Sequence, residues 1–150
     1  MGLSTGAFIL AYLVSNLVGL IMAWTSYHKP LIGRFMYALL FLWAAQFNWR
    51  SCRSAPDVYT GYGEFTIFPF YKTFIEGWFS EHTELVVSLI AAGQGLIGLA
   101  MIIGRFPARL GAWGAVFFLL AIAPLGMGSA FPATILMALG AYFTLDRLPR

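Results

Sequence analysis

Apolar runs and polar breaks alternate along these 150 residues on the length scale of membrane-crossing helices. A helix needs about 20 apolar residues to cross roughly 30 Å of hydrocarbon. Five stretches approach that length, at residues 7–24, 31–48, 84–103, 108–125 and 131–145. The pattern predicts an all-α, polytopic transmembrane helix bundle of five spans, forming a single membrane domain over residues 1–150. Pro30 and Gly33 suit a tight turn between the first two spans. Pro124, Gly126, Gly128 and Pro132 bracket a short hairpin between the last two. Ala91 with Gly95, and Gly111 with Ala115, have the small-x-x-x-small spacing that lets helices approach closely.

The polar stretch 49–83 breaks this rhythm and is read as an outer segment. Ser54–Asp57 reads as a turn, and Tyr59, Gly61, Tyr62 and Gly63 as an aromatic, glycine-rich loop. Pro69 then opens an amphipathic helix that runs to Phe79. Phe70, Phe74 and Trp78 recur at four-residue spacing, and Tyr71, Ile75 and Phe79 widen that face. Lys72, Thr73, Glu76 and Ser80 take the other side. Such a helix lies in the membrane interface. Phe70, Phe74 and Trp78 form a candidate aromatic lid with two open roles: a cap anchored at the headgroups, or the roof of a lipid or quinone site.

Composition supports a lipid-facing chain. Sixty percent of residues are hydrophobic and 10% charged, against roughly 25% charged in soluble domains. The net charge of +3 contains no basic cluster, so it predicts no nucleic-acid partner. No Lys or Arg precedes the first apolar run, which reads as a retained span. Lys29, Arg34, Arg105, Arg109, Arg147 and Arg150 fall on one side of a five-span chain, and Arg50, Arg53 and Lys72 on the other. The positive-inside rule then puts the N-terminus outside, residues 49–83 outside and the C-terminus in the cytoplasm.

Polar side chains at membrane depth are costly and mark candidate sites. Asn16 and Gln94 sit near the middle of their spans. Gln46 and Asn48 end the second span, and Glu84 opens the third. If the second helix continues, Arg50 and Arg53 share a side and reach Glu81 or Glu84. This gives a candidate ligand-binding or polar cluster of Gln46, Asn48, Arg50, Arg53, His82 and Glu84, with Gln94 deeper. Pairing at a helix boundary, or a single interhelical hydrogen bond at Gln94, accounts for the same residues structurally. His28 and His82 fall on opposite sides, which removes a shared haem. No metal-site spacing, catalytic triad or phosphate-cradling loop is present, so no catalytic or metal-binding residue is predicted. Cys52 is the only cysteine, which excludes a Cys-x-x-Cys pair.

The order of these features resembles a known family. Arg34 opens a span ending at Gln46–Asn48; Tyr59–Thr60–Gly61–Tyr62, Phe68–Pro69–Phe70–Tyr71 and His82 follow. Then come the run Ala92–Leu99 and the basic turn Gly104–Gly111. Over residues 34–145 the chain resembles the DoxX-like family of small four-helix bacterial membrane proteins. The first span is an addition to that four-helix unit, and Gln94 stands where relatives often carry an acid. The resemblance implies a bacterial inner-membrane location. Some relatives are subunits of a thiosulfate:quinone oxidoreductase, and others are linked to redox or thiol stress. Relatives that handle thiols use paired cysteines, which this chain lacks.

The leading expectation is an accessory subunit, without catalysis of its own, packing against other membrane subunits in a complex of electron transfer. Its aromatic faces would contact lipid or pigment. The alternatives are a quinone-interacting oxidoreductase subunit, with a site under the outer helix, and a small transporter. Few deep polar residues and no matched discontinuous helices weaken the last.

Overall fold

A computed structural model describes residues 5–145; Arg147 and Arg150 of the charge count lie outside them. The chain is helical nearly throughout. Helix α1 spans Thr5–His28, α2 Pro30–Ser54, α5 Thr83–Ile103, α6 Arg105–Ile122 and α7 Ala133–Leu145. Between α2 and α5 lie the short α3 (Asp57–Thr60), a 3-10 turn at Gly61–Glu64, and α4 (Pro69–Phe74). Helix α4 runs on into a π-helical turn at Ile75–Phe79. A 3-10 segment, Ala123–Ser129, joins α6 to the α7 hairpin.

Four helical stretches are long and apolar enough to cross a membrane: Thr5–His28, Pro30–Ser54, Thr83–Ile103 and Arg105–Ser129. The fifth predicted stretch forms α7, whose 13 described residues rise only about 20 Å. The second helix also outruns its expected end at residue 48. It continues without a break to Ser54, so Asn48, Arg50 and Arg53 all lie on helix.

The five long helices close a ring: α1 packs on α2, α2 on α5, α5 on α6, α6 on α7, and α7 returns to α1. Helix α2 also reaches across to α7, where Tyr37 OH donates to the Met137 carbonyl. The inner faces carry Met22, Tyr37, Phe41 and Met101 among small residues such as Ala112, Ala115 and Ala141. Outward faces stay apolar, with Leu10, Leu17, Leu39, Leu96 and Phe117 all exposed. A soluble protein does not present so much contiguous apolar surface to water, whereas lipid accepts it.

Small residues set the closest approaches. A methyl at Gly98 would sit 2.7 Å from Leu42 Cγ and 3.1 Å from the Ala38 carbonyl oxygen. The predicted Ala91–Gly95 pair is looser at its second member, where the same methyl would meet only Ala45 Cβ at 3.8 Å. Gly98, one turn further along α5, is therefore the tight point against α2. Gly111 makes the α5–α6 approach, 3.1 Å from the Ile97 carbonyl oxygen by the same measure.

Candidate functional site

At the end of the ring away from the α1–α2 turn, the outer segment folds over the bundle. Tyr71 OH donates to the Ala121 carbonyl at 2.8 Å, and Thr66 Oγ1 to the Pro124 carbonyl at 2.7 Å. The last carbonyls of a helix lack intrahelical partners, so two lid hydroxyls take up acceptors at the α6 terminus. Gly126 adopts φ 63 and passes close under the Phe65 carbonyl.

Beneath this cover is a cavity of about 330 Å³, between the end of α2, α5, the end of α6 and α4 with its π turn. Its walls are mainly aromatic and aliphatic, with Tyr59, Tyr62, Tyr71, Phe74, Phe79 and Phe118 as the ring-bearing members. Small-molecule pockets have this character, apolar with a few placed polar groups, and begin near this volume.

The polar groups form a relay along one wall. Tyr59 OH donates to Asn48 Oδ1 at 2.9 Å, and Asn48 Nδ2 donates to Gln94 Oε1 at 2.8 Å. Gln94 is buried, with 4% of its surface accessible, and Tyr59 has 7%. Burial pushes the Tyr59 phenol above its ordinary value of 10.0, partly offset by a hydrogen bond with Ser51. Burial alone raises Tyr62. Both phenols therefore keep their protons at neutral pH.

The residues singled out from the sequence divide among four places. Asn48 and Gln94 line the cavity. Arg53 and Glu84 pair outside it, Nε to Oε1 at 3.6 Å, with 39% and 65% of their side chains exposed. Arg53 also covers the Trp49 ring at 3.8 Å and donates to Ser88 Oγ at 3.2 Å. His82 stacks on Trp78 with ring centroids 4.5 Å apart, and its Nδ1 lies 2.9 Å from the Trp78 carbonyl. Gln46 and Arg50 face a shallow groove of about 150 Å³ with Trp43, Phe47 and Ser51.

The lid face is turned from the spacing read in the sequence. Phe74 lines the cavity together with Tyr71, Ile75 and Phe79. Phe70 and Trp78 point outward and are exposed. For Trp78 the π turn makes the difference, with Gly77 leaving helical geometry at φ −96, ψ −115; Phe70 lies before it, in the first turn of α4. Tyr59 and Tyr62 are site residues that the polar cluster omitted. Their only signal was an aromatic, glycine-rich stretch, which does not say that the chain doubles back onto Asn48.

Among the described residues no three of His, Cys, Asp and Glu come together as metal ligands. No family model, no curated protein and no solved structure matches the chain.

Proposed function

We propose that this chain is a small integral membrane protein that takes a flat, apolar ligand of the bilayer, of the quinone or lipid class, into the cavity beneath α4. The observation that carries this reading is the cavity itself, an aromatic slot of about 330 Å³ with one buried polar wall. Such a slot suits a ring with an apolar tail, because aromatic walls offer stacking area and the polar wall fixes orientation. The reading is one of binding, since the hydroxyls of Tyr59, Tyr71 and Ser129 are engaged within the protein.

A second reading is an accessory subunit of a larger membrane complex, one of electron transfer. It is favoured by the outward face of α1, where Leu10, Leu13, Leu17 and Trp24 are uncovered over a helix with only three buried residues. The two readings are compatible, since an accessory subunit can hold a bound quinone or lipid.

Placement in the bacterial inner membrane and membership of the DoxX-like family remain our proposal from the motif order over residues 34–145. In that arrangement α7 is a fifth span, the N-terminus is outside and the C-terminus is cytoplasmic. The charge distribution supports the orientation. Among the described residues Lys29, Arg34, Arg105 and Arg109 gather at one end, against Arg50, Arg53 and Lys72 at the lid end.

The test is purification from native membranes in a gentle detergent, then organic extraction and mass spectrometry. Wild-type protein releases near-stoichiometric quinone or a defined lipid, and Ile90→Trp, which fills the cavity from α5, releases none. Equal amounts from both proteins overturn the binding reading. Co-purifying subunits that survive Ile90→Trp support the accessory reading on its own.

A further inference from the structure

The donors and acceptors of the cavity are not balanced. Most lining polar groups are spent within the protein: Tyr71 OH on Ala121, Tyr59 OH on Asn48, Ser129 Oγ on the Gly126 carbonyl. Two are not. The Gln94 amide accepts from Asn48 through its oxygen, but no acceptor among the described residues takes its Nε2 hydrogens. Tyr62 OH likewise has no protein partner among them. The unpartnered side-chain atoms sealed from solvent are Ser26 Oγ, Arg34 Nε and Thr134 Oγ1. Gln94 Nε2 and Tyr62 OH are not among these sealed atoms, and both residues line the cavity.

The amide polarities agree with one another: Tyr59 OH donates to Asn48 Oδ1, Asn48 Nδ2 donates to Gln94 Oε1, and the Gln94 Nε2 hydrogens are left over. The Gln94 donor is thus presented to the cavity by a relay that begins outside α5. The Tyr62 donor comes from a different wall, the 3-10 turn.

We propose that the cavity reads carbonyl oxygens: Gln94 Nε2 and Tyr62 O–H are specificity-determining donors to the carbonyls of a flat, quinone-class ring held between the aromatic walls. This rests on the ligand-binding reading above and adds its chemistry. A ring carbonyl accepts from both donors. The reduced ring presents hydroxyls, which can still accept but bring protons that need acceptors this pair of donors does not supply, so the oxidised form binds more tightly.

Titration calorimetry in detergent micelles tests this with three probes: a decyl-substituted benzoquinone, its hydroquinone, and decylbenzene. Wild-type protein prefers the quinone to the other two. Gln94→Leu and Tyr62→Phe each weaken quinone binding by about 3- to 10-fold and leave decylbenzene affinity unchanged. Tyr62→Phe removes one oxygen and keeps the ring, so it stands even if Gln94→Leu fails to fold. Quinone affinity unchanged in every variant that folds, but abolished by Ile90→Trp, overturns the carbonyl reading and leaves the cavity as an unselective apolar site. Binding unaffected by Ile90→Trp overturns both. Displacement of the quinone by equimolar dioleoylglycerol, with the same dependence on Gln94, assigns the donors to ester carbonyls and overturns the ring.

Discussion

Gln94 and Asn48 were legible as candidates because an amide in an apolar run is costly without a partner. The partner of Asn48 at the far end, Tyr59, was not, since it lies in a connector whose path depends on tertiary folding. Their coupling is measurable. Asn48→Leu strands Tyr59 OH and Gln94 Oε1 and should cost about 1–3 kcal/mol. Adding Gln94→Leu should cost less than the sum of the two single changes, in a double-mutant cycle read by unfolding in mixed micelles. Arg53 and Glu84 are a different case. Their pair is largely exposed, so Glu84→Gln should change stability by less than about 1 kcal/mol and leave ligand binding intact. The raised phenols give a pH signature. Tyr59 and Tyr62 hold their protons above the unfolded value of 10.0. Their contribution to stability is full below pH 10.0 and is lost as pH rises through their folded values. Stability of the wild type should hold up to that point and fall beyond it. In a Tyr59→Phe/Tyr62→Phe variant, the part of that fall due to these phenols should vanish, as followed by thermal midpoint against pH.

Among the elements, the existence of each long helix was readable from hydropathy, while its end and its facing were not, and the short α3 was read as turn and loop. Helix α2 continues past Asn48 because its inner face still has a neighbour to pack on: Cys52 is buried against the lid end of α5, near Val87. The lid was legible as an amphipathic helix, but a regular α-helical wheel cannot anticipate the π turn at Ile75–Phe79. This divides the lid residues by consequence. Phe79→Ala should enlarge the cavity and cost about 3–5 kcal/mol, as large-to-small changes at buried aromatics do. Trp78→Ala, on the outer face, should leave the fold and ligand affinity unchanged and weaken only the anchoring of the lid at the interface. Loss of ligand affinity in Trp78→Ala would contradict this division. The hairpin after α6 is equally particular. Gly126→Ala puts a side chain at positive φ and against the Phe65 carbonyl, so it should destabilise the protein by at least about 1 kcal/mol.

For the molecule as a whole, the class was written in the composition, and the count of spans was only partly so. Four helical stretches have the length to cross, and α7 is the ambiguous one. Its role in the ring is not: Gly140 of α7 lets Tyr37 and Ala23 approach, and its face toward α1 is made of small residues. If α7 spans, the two termini lie on opposite faces of the membrane. Under the orientation proposed above, a fluorescent-protein fusion at the C-terminus should then light up in the cytoplasm, while a reporter active only outside should be active at the N-terminus. Both reporters on one side would reduce the bundle to four spans.

The ring closes between its first and last members. Tyr12 OH of α1 donates to the Phe131 carbonyl at 2.6 Å, across 119 residues of chain, and Asn16 reaches the Ala130 carbonyl beside it. During synthesis at roughly 5–20 residues per second, α1 enters the bilayer on the order of 6–24 s before the strand of chain it must bind has been made. Throughout that interval the Tyr12 phenol lacks its final acceptor, the Asn16 amide has only the Tyr12 carbonyl one turn back, and α1 waits for the helix on which it packs most extensively. A chain that stops before residue 131 leaves the Tyr12 hydroxyl without this acceptor. The helix that emerges first is thus the last to be secured, and assembly of this small bundle is timed by its final hairpin.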